Sequence, residues 1–146
     1  LYEGGTRVCA FVNWPGHLEP RKHETPMHVV DWFPTLASLI GYEPEVNLTW
    51  DGVDQWQAIS GKAAPSEPRT IYIAMQKGRS LRHGHWKLIV RDQSKPELFN
   101  IAADPYEKHN VAANQPQRVA ELQSLLTRQQ SFDVAELPDD LVGLPH

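Results

Sequence analysis

Cysteine is almost absent from this chain of 146 residues: Cys9 stands alone, which excludes an internal disulfide and a cysteine-based zinc site. A cationic surplus is missing as well. Fourteen Lys and Arg face eighteen Asp and Glu, a net charge of −4, whereas a nucleic-acid surface would be basic. No apolar run approaches the ~20 residues that a membrane-spanning helix requires. Internal repeats and low-complexity tracts are missing too. The chain opens on Leu1 rather than methionine, as expected either where an upstream stretch has been removed or where the sequence is a fragment. What is present is ordinary for a folded domain: 40% hydrophobic and 22% charged residues, enough at this length for a real core.

The first part of the chain reads as a strand followed by helices. Val8-Cys9-Ala10-Phe11-Val12-Asn13-Trp14 is a β-prone run closed by the turn pair Pro15-Gly16, the pattern of a buried strand. Cys9 within it reads as a small buried hydrophobe. Residues 17–27, with two prolines and several charges, read as a surface loop. Asp31 is placed to cap a helix whose first turn tolerates Pro34. Phe33, Leu36, Ala37 and Ile40 share one face of it, and Gly41 is its stop. Gly52 to Ile59 holds one or two further helical turns before Gly61. The proline-containing stretch Lys62 to Arg69 is the boundary, dividing 1–61 from 62–146.

Beyond it the pattern changes to strands. Thr70 to Met75 is one. Arg79 to Arg82 and Trp86 to Val90 flank Gly84 as a hairpin or a bent strand, and Leu98 to Ile101 follows the Ser94-Lys95-Pro96 turn. Asp104-Pro105-x-Glu107 has capping-box spacing and predicts a single helical turn. Asn114 is placed to cap a last helix in which Val119, Leu122, Leu125 and Leu126 share a face. The sum is α+β: a small antiparallel sheet of about four strands packed by a C-terminal helix, preceded by a strand and a helix.

Several of these stretches carry a resemblance. Tyr2-Glu3-Gly4-Gly5-Thr6-Arg7 resembles the sulfatase segment that follows the active-site lysine. Asp31-Trp32-Phe33-Pro34-Thr35-Leu36 is similar to that family's D-x-x-P-T-L helix, and Asp51-Gly52-Val53-Asp54 to its D-G-x-D stretch. Arg82-His83-Gly84-His85-Trp86-Lys87-Leu88 and the block from Leu98 to Ala112 resemble its C-terminal sheet. The likeness runs from Tyr2 to about Arg128 and is nearest to the arylsulfatase B-like enzymes of sulfated glycosaminoglycan sugars. Cys9 stands where many members have proline.

The resemblance implies that 1–61 ends an alkaline-phosphatase-like α/β catalytic domain and that 62–146 is the C-terminal subdomain. It implies a sulfuric ester hydrolase as parent, with calcium and formylglycine in the intact enzyme. Its partner would be the missing N-terminal half, its substrate a sulfated carbohydrate or aryl sulfate, and its location periplasmic, secreted or lysosomal. Two rivals stand beside it: a self-standing binding or dimerisation module, and part of a related phosphodiesterase or phosphonate hydrolase. An unpaired strand at Val8–Trp14 would favour dimers.

Sulfate-ester hydrolysis needs a nucleophile, a cation on the sulfate oxygens and an acid for the leaving alcohol. In the family the nucleophile is formylglycine, made within C/S-x-P-x-R. Cys9 is followed by Ala10, Phe11, Val12 and Asn13, so neither proline nor arginine is in place. Ser66 has Pro68 at the right offset but Thr70 where arginine is needed. Asp139-Asp140, the only adjacent carboxylates, read as solvated charge rather than calcium ligands. No catalytic and no metal-ligating residue is therefore expected here. His83 and His85 would share a face on one strand, and without a third ligand they read first as a hairpin tip. Arg82, His83, His85 and Trp86 are the candidate substrate-edge residues, a guanidinium for an anionic sugar and an indole for a pyranose face. Glu3 and Arg7 flank the glycine pair, which reads either as a turn braced by a Glu–Arg pair or as backbone passing close to a sulfate pocket. Asn47-Leu48-Thr49 matches the glycosylation sequon.

Overall fold

A computed structural model describes residues 1–45, 50–63 and 67–133; the Asn47 sequon, Ser66 and the Asp139–Asp140 pair lie outside them. The chain starts with a single helical turn, α1 (Glu3–Thr6), closed by Thr6 Oγ1 donating to the Tyr2 carbonyl at 3.1 Å. The strand expected over Val8–Trp14 is not formed. That run has no regular structure and lies exposed, Val8 at 82% and Phe11 at 90%, and Cys9 is exposed rather than buried. A strand holds its shape through hydrogen bonds to a neighbour, and among the described residues none pairs with it. Pro15-Gly16 does turn the chain: Gly16 has φ +79°, and the Leu18 N–H donates to the Trp14 carbonyl at 3.0 Å.

A 3₁₀ turn (Val29–Asp31) leads into α2 (Trp32–Leu39). Asp31 caps the turn rather than α2, its carboxylate accepting from the His28 N–H at 2.8 Å. The helix ends as the sequence predicts. Gly41, at φ +68°, donates to the Ser38 carbonyl, and the Tyr42 N–H reaches the Ala37 carbonyl at 2.9 Å. Its rotation is a correction. α2 turns Pro34, Thr35 and Ala37 inward and leaves Phe33, Leu36 and Ile40 at 59%, 53% and 78% exposure. Polar anchors decide this. The Thr35 hydroxyl donates to the Asp31 carbonyl at 2.6 Å and accepts from the Gln55 N–H at 2.9 Å, which fixes the inward face. Among the described residues only Trp50 meets this apolar side, edge-on to Phe33 at 5.2 Å between ring centroids. α3 (Trp56–Ser60) follows, started by Asp54 Oδ1 accepting from the Trp56 N–H at 2.7 Å and stopped at Gly61.

The second part is an antiparallel meander in the order β1-β2-β3-β4: β1 (Thr70–Met75), β2 (Gly78–His83), β3 (Trp86–Arg91) and β4 (Glu97–Asn100). Its register places Tyr72 opposite Leu81, Leu81 opposite Leu88, and Leu88 opposite Leu98. Side chains alternate across a strand, so Leu81, Leu88 and Leu98 line one face. α4 (Pro116–Gln130) covers that face with Leu122 and Leu126. Each such fully buried leucine contributes about 1.5–3 kcal/mol. Gln115 precedes α4, with Pro116 at its first position, while Asn114 belongs to a 3₁₀ turn before it.

The opposite face carries Ile89 and Phe99, packed with Ile101 and Leu1. Asn110 fastens the β4 edge: its Oδ1 accepts from the Leu98 N–H at 3.0 Å, and the Val111 N–H donates to the Leu98 carbonyl at 2.9 Å. The helical turn expected over Asp104–Glu107 is a plain turn. Glu107 sits at φ +54°, and the Asp104 carboxylate accepts from the N–H groups of Lys108 and His109. The Glu107 carboxylate is used elsewhere.

Candidate functional site

The face of the sheet opposite α4 is where charge collects. Lys87 and Ile89 alternate with Leu88 along β3, which sends the Lys87 ammonium away from α4 and toward the N-terminal arm. Lys87 is only 2% exposed. Its Nζ lies 2.9 Å from Glu3 Oε1 and 3.0 Å from Glu107 Oε1. The second contact is an ion pair outside hydrogen-bond geometry, since Glu107 Oε1 has no hydrogen-bonding partner. Glu107 Oε2 accepts from the Glu3 N–H at 2.6 Å, and Arg82 Nη1 donates to Glu3 Oε2 at 3.0 Å. Two cations and two carboxylates thus balance one another in a site largely withdrawn from water, with Arg82 the most exposed of the four. Burying any of them alone would be costly, so the four stand or fall together. The left-handed backbone of Glu107 costs about 1–3 kcal/mol and is held by these bonds.

Tyr2 completes the contact between arm and sheet. Its hydroxyl donates to Glu97 Oε2 at 2.7 Å, its ring meets Phe99 edge-on at 6.2 Å between centroids, and the Arg91 guanidinium lies 4.9 Å from its ring centre. Arg91 also pairs with Glu97. Glu3 therefore does not brace Arg7; its partners are Arg82 and Lys87, and Arg7 is exposed. Beside the arm runs a shallow open depression lined by Glu3, Gly4, Arg7, Pro105, Tyr106 and Glu107. At Gly4 and Gly5 an added Cβ would meet nothing within 4 Å, and neither has positive φ. Nothing in the described chain requires the glycine pair.

A second ionic knot joins the two parts of the chain. Asp31 is 0% exposed and its carboxylate accepts four bonds: Arg69 Nη2 at 2.6 Å, Arg69 Nε at 3.2 Å, the His28 N–H at 2.8 Å and the Val53 N–H at 3.0 Å. Burial works against the charged carboxylate, but the bonds from Arg69 and from the two backbone N–H groups outweigh it and hold its pKa below the ordinary value. Gly52 makes room for this knot, since a Cβ there would stand 2.1 Å from the Val30 carbonyl oxygen.

The residues singled out in the sequence divide between these surroundings. Arg82 is turned to Glu3 and to the Gly84 carbonyl. His83 ends β2 and shares a 2.9 Å hydrogen bond between its Nδ1 and Thr70 Oγ1. Gly84, at φ +57°, reverses the chain, so His85 is an exposed turn residue rather than a strand neighbour of His83. Trp86 opposes His83 in register, packs beside the leucine core and carries the Arg118 guanidinium 5.5 Å from its ring centre. The four lie around one hairpin but do not converge. Sequence reasoning missed Lys87 and Glu107. The signal was a lysine amid the apolar run Trp86 to Val90, a charge that a buried strand accepts only with a counter-charge. Among the described residues no group of three or more His, Cys, Asp or Glu side chains could hold a metal ion, and no helix is long and apolar enough to cross a membrane.

No protein-family profile matches the chain. Curated relatives do. An N-acetylgalactosamine-6-O-sulfatase of Bacteroides thetaiotaomicron is 28% identical over 140 residues, covering 86% of this chain and 27% of the relative. A choline-sulfatase of Rhizobium meliloti is 33% identical over 119 residues, covering 78% of this chain and 23% of the relative. Among solved structures, a 6S-sulf protein from work on glycosaminoglycan metabolism by Bacteroides thetaiotaomicron superposes with a TM-score of 0.70 at 25% identity, over 81% of this chain and 28% of that one. The chain thus spans about a quarter of the length of these proteins, and it matches their C-terminal portion.

Proposed function

We propose that this chain, which belongs to the sulfatase family as its C-terminal portion, serves a sulfuric ester hydrolase as scaffold and cleft wall rather than as the seat of its chemistry. Residues 1–61 are the end of the catalytic α/β domain and 62–146 the C-terminal subdomain. One observation carries the reading: all three relatives match over most of this chain but over only 23–28% of their own length. The Glu3–Lys87–Glu107–Arg82 cluster is then a device that fixes the Tyr2-to-Arg7 arm onto the small sheet. The bare Gly4-Gly5 backbone, needed by nothing within the chain, is kept open for groups outside it.

The family relation implies calcium and formylglycine in the whole enzyme, where they would neutralise the sulfate oxygens and supply the nucleophile. The described residues do not fit either. They contain no convergent carboxylate set, and Cys9 has Phe11 and Asn13 where the formylglycine pattern needs proline and arginine. What this chain does toward the reaction is to hold backbone in place and to close one side of the cleft. Sulfated sugars are the substrate class favoured here, because the names of two of the relatives point to amino-sugar sulfate and glycosaminoglycan metabolism. Arg82, His83, His85 and Trp86 stay candidates for its edge, with exposed His85 the freest of them to meet a substrate.

The test is an aryl-sulfate assay with calcium present, run on the chain alone and on the chain joined to the sequence that precedes it. Turnover by the joined protein alone is the expected result. Turnover by the 146-residue chain above a heat-killed control would overturn the reading.

A further inference from the structure

The two edges of the sheet are finished differently. β4 is closed on its outer side, where Asn110 Oδ1 accepts from the Leu98 N–H and the Val111 N–H donates to the Leu98 carbonyl. β1 is the opposite edge. Among the described residues no backbone group outside the sheet bonds to Thr70–Met75, and the one side chain that does is that of Arg69, whose Nη1 donates to the Thr70 carbonyl at 2.6 Å. Open edges are ordinarily protected by charge, by proline or by a bulge. Thr70-Ile71-Tyr72-Ile73-Ala74-Met75 has no charge and no proline, and its six residues pair with β2 without a break. Such a strand is a template for another.

The register tells which groups are on offer. The Gly84 N–H donates to the Arg69 carbonyl, and hydrogen-bonded and non-hydrogen-bonded pairs alternate along an antiparallel ladder. Ile71, Ile73 and Met75 therefore turn their backbone groups toward β2, while Thr70, Tyr72 and Ala74 turn theirs outward. Tyr72 is the centre of that outward set. A second β1 laid antiparallel about a two-fold axis at Tyr72 sets Tyr72 opposite Tyr72 and Thr70 opposite Ala74. Every outward residue then meets another outward residue. The same arrangement places Ile71 opposite Ile73 twice on the face away from α4, an aliphatic pair with no charge set against it.

We infer that β1 is a self-pairing edge, through which this chain associates as a two-fold dimer with one sheet continuous across both copies. The occupant is a second copy because the outward groups of β1 are complementary to themselves. Any other partner would have to bring a free strand of matching spacing. The inference goes beyond the functional reading above and does not depend on it.

Sedimentation equilibrium of the 146-residue chain should show a monomer–dimer equilibrium. Ala74→Pro removes one outward N–H from an exposed residue and leaves the β1–β2 bonds and the core in place. It should weaken the dimer about tenfold or more, with circular dichroism unchanged. Ala74→Lys, which adds only a charge to the edge, should act in the same direction. Should Ala74→Pro perturb the dichroism, Ala74→Lys and the following linkage carry the decision. In a Cys9→Ser background, Thr70→Cys with Ala74→Cys sets the two Cα atoms about 5.5 Å apart across the dimer, within the span of a disulfide. Within one strand they lie about 13 Å apart, too far to bridge. Mild oxidation should therefore give a covalent dimer whose disulfide joins position 70 to position 74 by peptide mass mapping. A monomer across the soluble range would overturn the inference. So would a dimer that both Ala74 variants leave intact and that forms no 70-to-74 link, since association would then run through another apolar surface such as the Val8–Trp14 run. A chain that dimerises only after removal of residues 134–146 would overturn it in favour of that segment as the occupant of the edge.

Discussion

Lys87 Nζ and Glu3 Oε1 meet at 2.9 Å across a sequence separation of 84 residues, and both side chains are shut away from solvent. The pair is the centre of the contact between the N-terminal arm and the small sheet, and Arg82 and Glu107 complete its charge balance.

Removing the cation should therefore cost more than any exposed ion pair would. Lys87→Met leaves the Glu3 and Glu107 carboxylates buried together without a counter-ion beside Glu107. The expected loss is about 3–5 kcal/mol in urea unfolding. Replacing Lys87 and Glu107 together by Met and Gln should recover much of that loss, because Glu3 keeps Arg82 and no uncompensated charge then remains. A Lys87→Met loss below about 1 kcal/mol, the range of solvent-exposed pairs, would contradict the cluster as described.

The Asp31–Arg69 knot predicts a pH dependence with a definite sign. The folded carboxylate has a pKa held below its ordinary value, so the unfolded chain takes up the proton first as pH falls. The stabilisation is fully present above the unfolded value of ~3.9 and is lost as pH drops through the lower folded value. Wild type should lose stability between pH 5 and pH 2 more steeply than Asp31→Asn. At pH 7 that variant should already be weaker by about 3 kcal/mol, since it leaves the Arg69 charge half-buried and unpaired. Chemical denaturation across that range reads both.

Glycine position by position gives a sharper contrast. Gly52→Ala pushes a methyl group to 2.1 Å from the Val30 carbonyl oxygen, beside the Val53 N–H that Asp31 accepts. A cost of about 1–3 kcal/mol is expected from overpacking alone. Gly5→Ala, in open space within α1, should be neutral or slightly stabilising in the isolated chain, since alanine suits a helical turn better than glycine by roughly 0.5–1 kcal/mol. Thermal melts of the two variants side by side decide it.

Leucines separate in the same way. Leu98→Ala empties a site at 0% exposure between β3 and α4 and should cost about 2–5 kcal/mol. Leu36→Ala, on the exposed stripe of α2, should change the stability of this chain by no more than about 0.5 kcal/mol. Urea midpoints at constant slope provide the comparison.

Where neighbours in sequence set the structure, the sequence was readable. The β-prone runs Thr70 to Met75 and Trp86 to Val90, and the Val119–Leu122–Leu126 face, predict the meander and its covering helix, and both are present. Gly41, Gly61 and Gly84 mark two helix ends and a hairpin turn through their left-handed backbone. The α2 stripe and the Val8–Trp14 run were legible as apolar but not as exposed, because pattern reports what a segment would bury and not whether its cover is at hand. The site was harder. Arg82 was marked for a substrate and is engaged by Glu3, while Lys87 and Glu107 went unmarked; charge partners that meet across 79 and 84 positions leave no local spacing to read. The Asp104–Glu107 spacing invites a capping box, and the distant Lys87 takes that glutamate instead.

The separation of Glu3 from its partners also sets an order of events during synthesis. The arm leaves the ribosome before any of the sheet, and Glu107, which accepts its N–H, is made 104 positions later. At roughly 5–20 residues per second that is an interval of about 5–20 seconds, in which Glu3 stays hydrated while the hairpins of the meander close locally within microseconds. The latch between arm and sheet thus cannot close until Glu107 has emerged, well after the hairpins have formed, and the Tyr2-to-Arg7 turn acquires its final bearing only then.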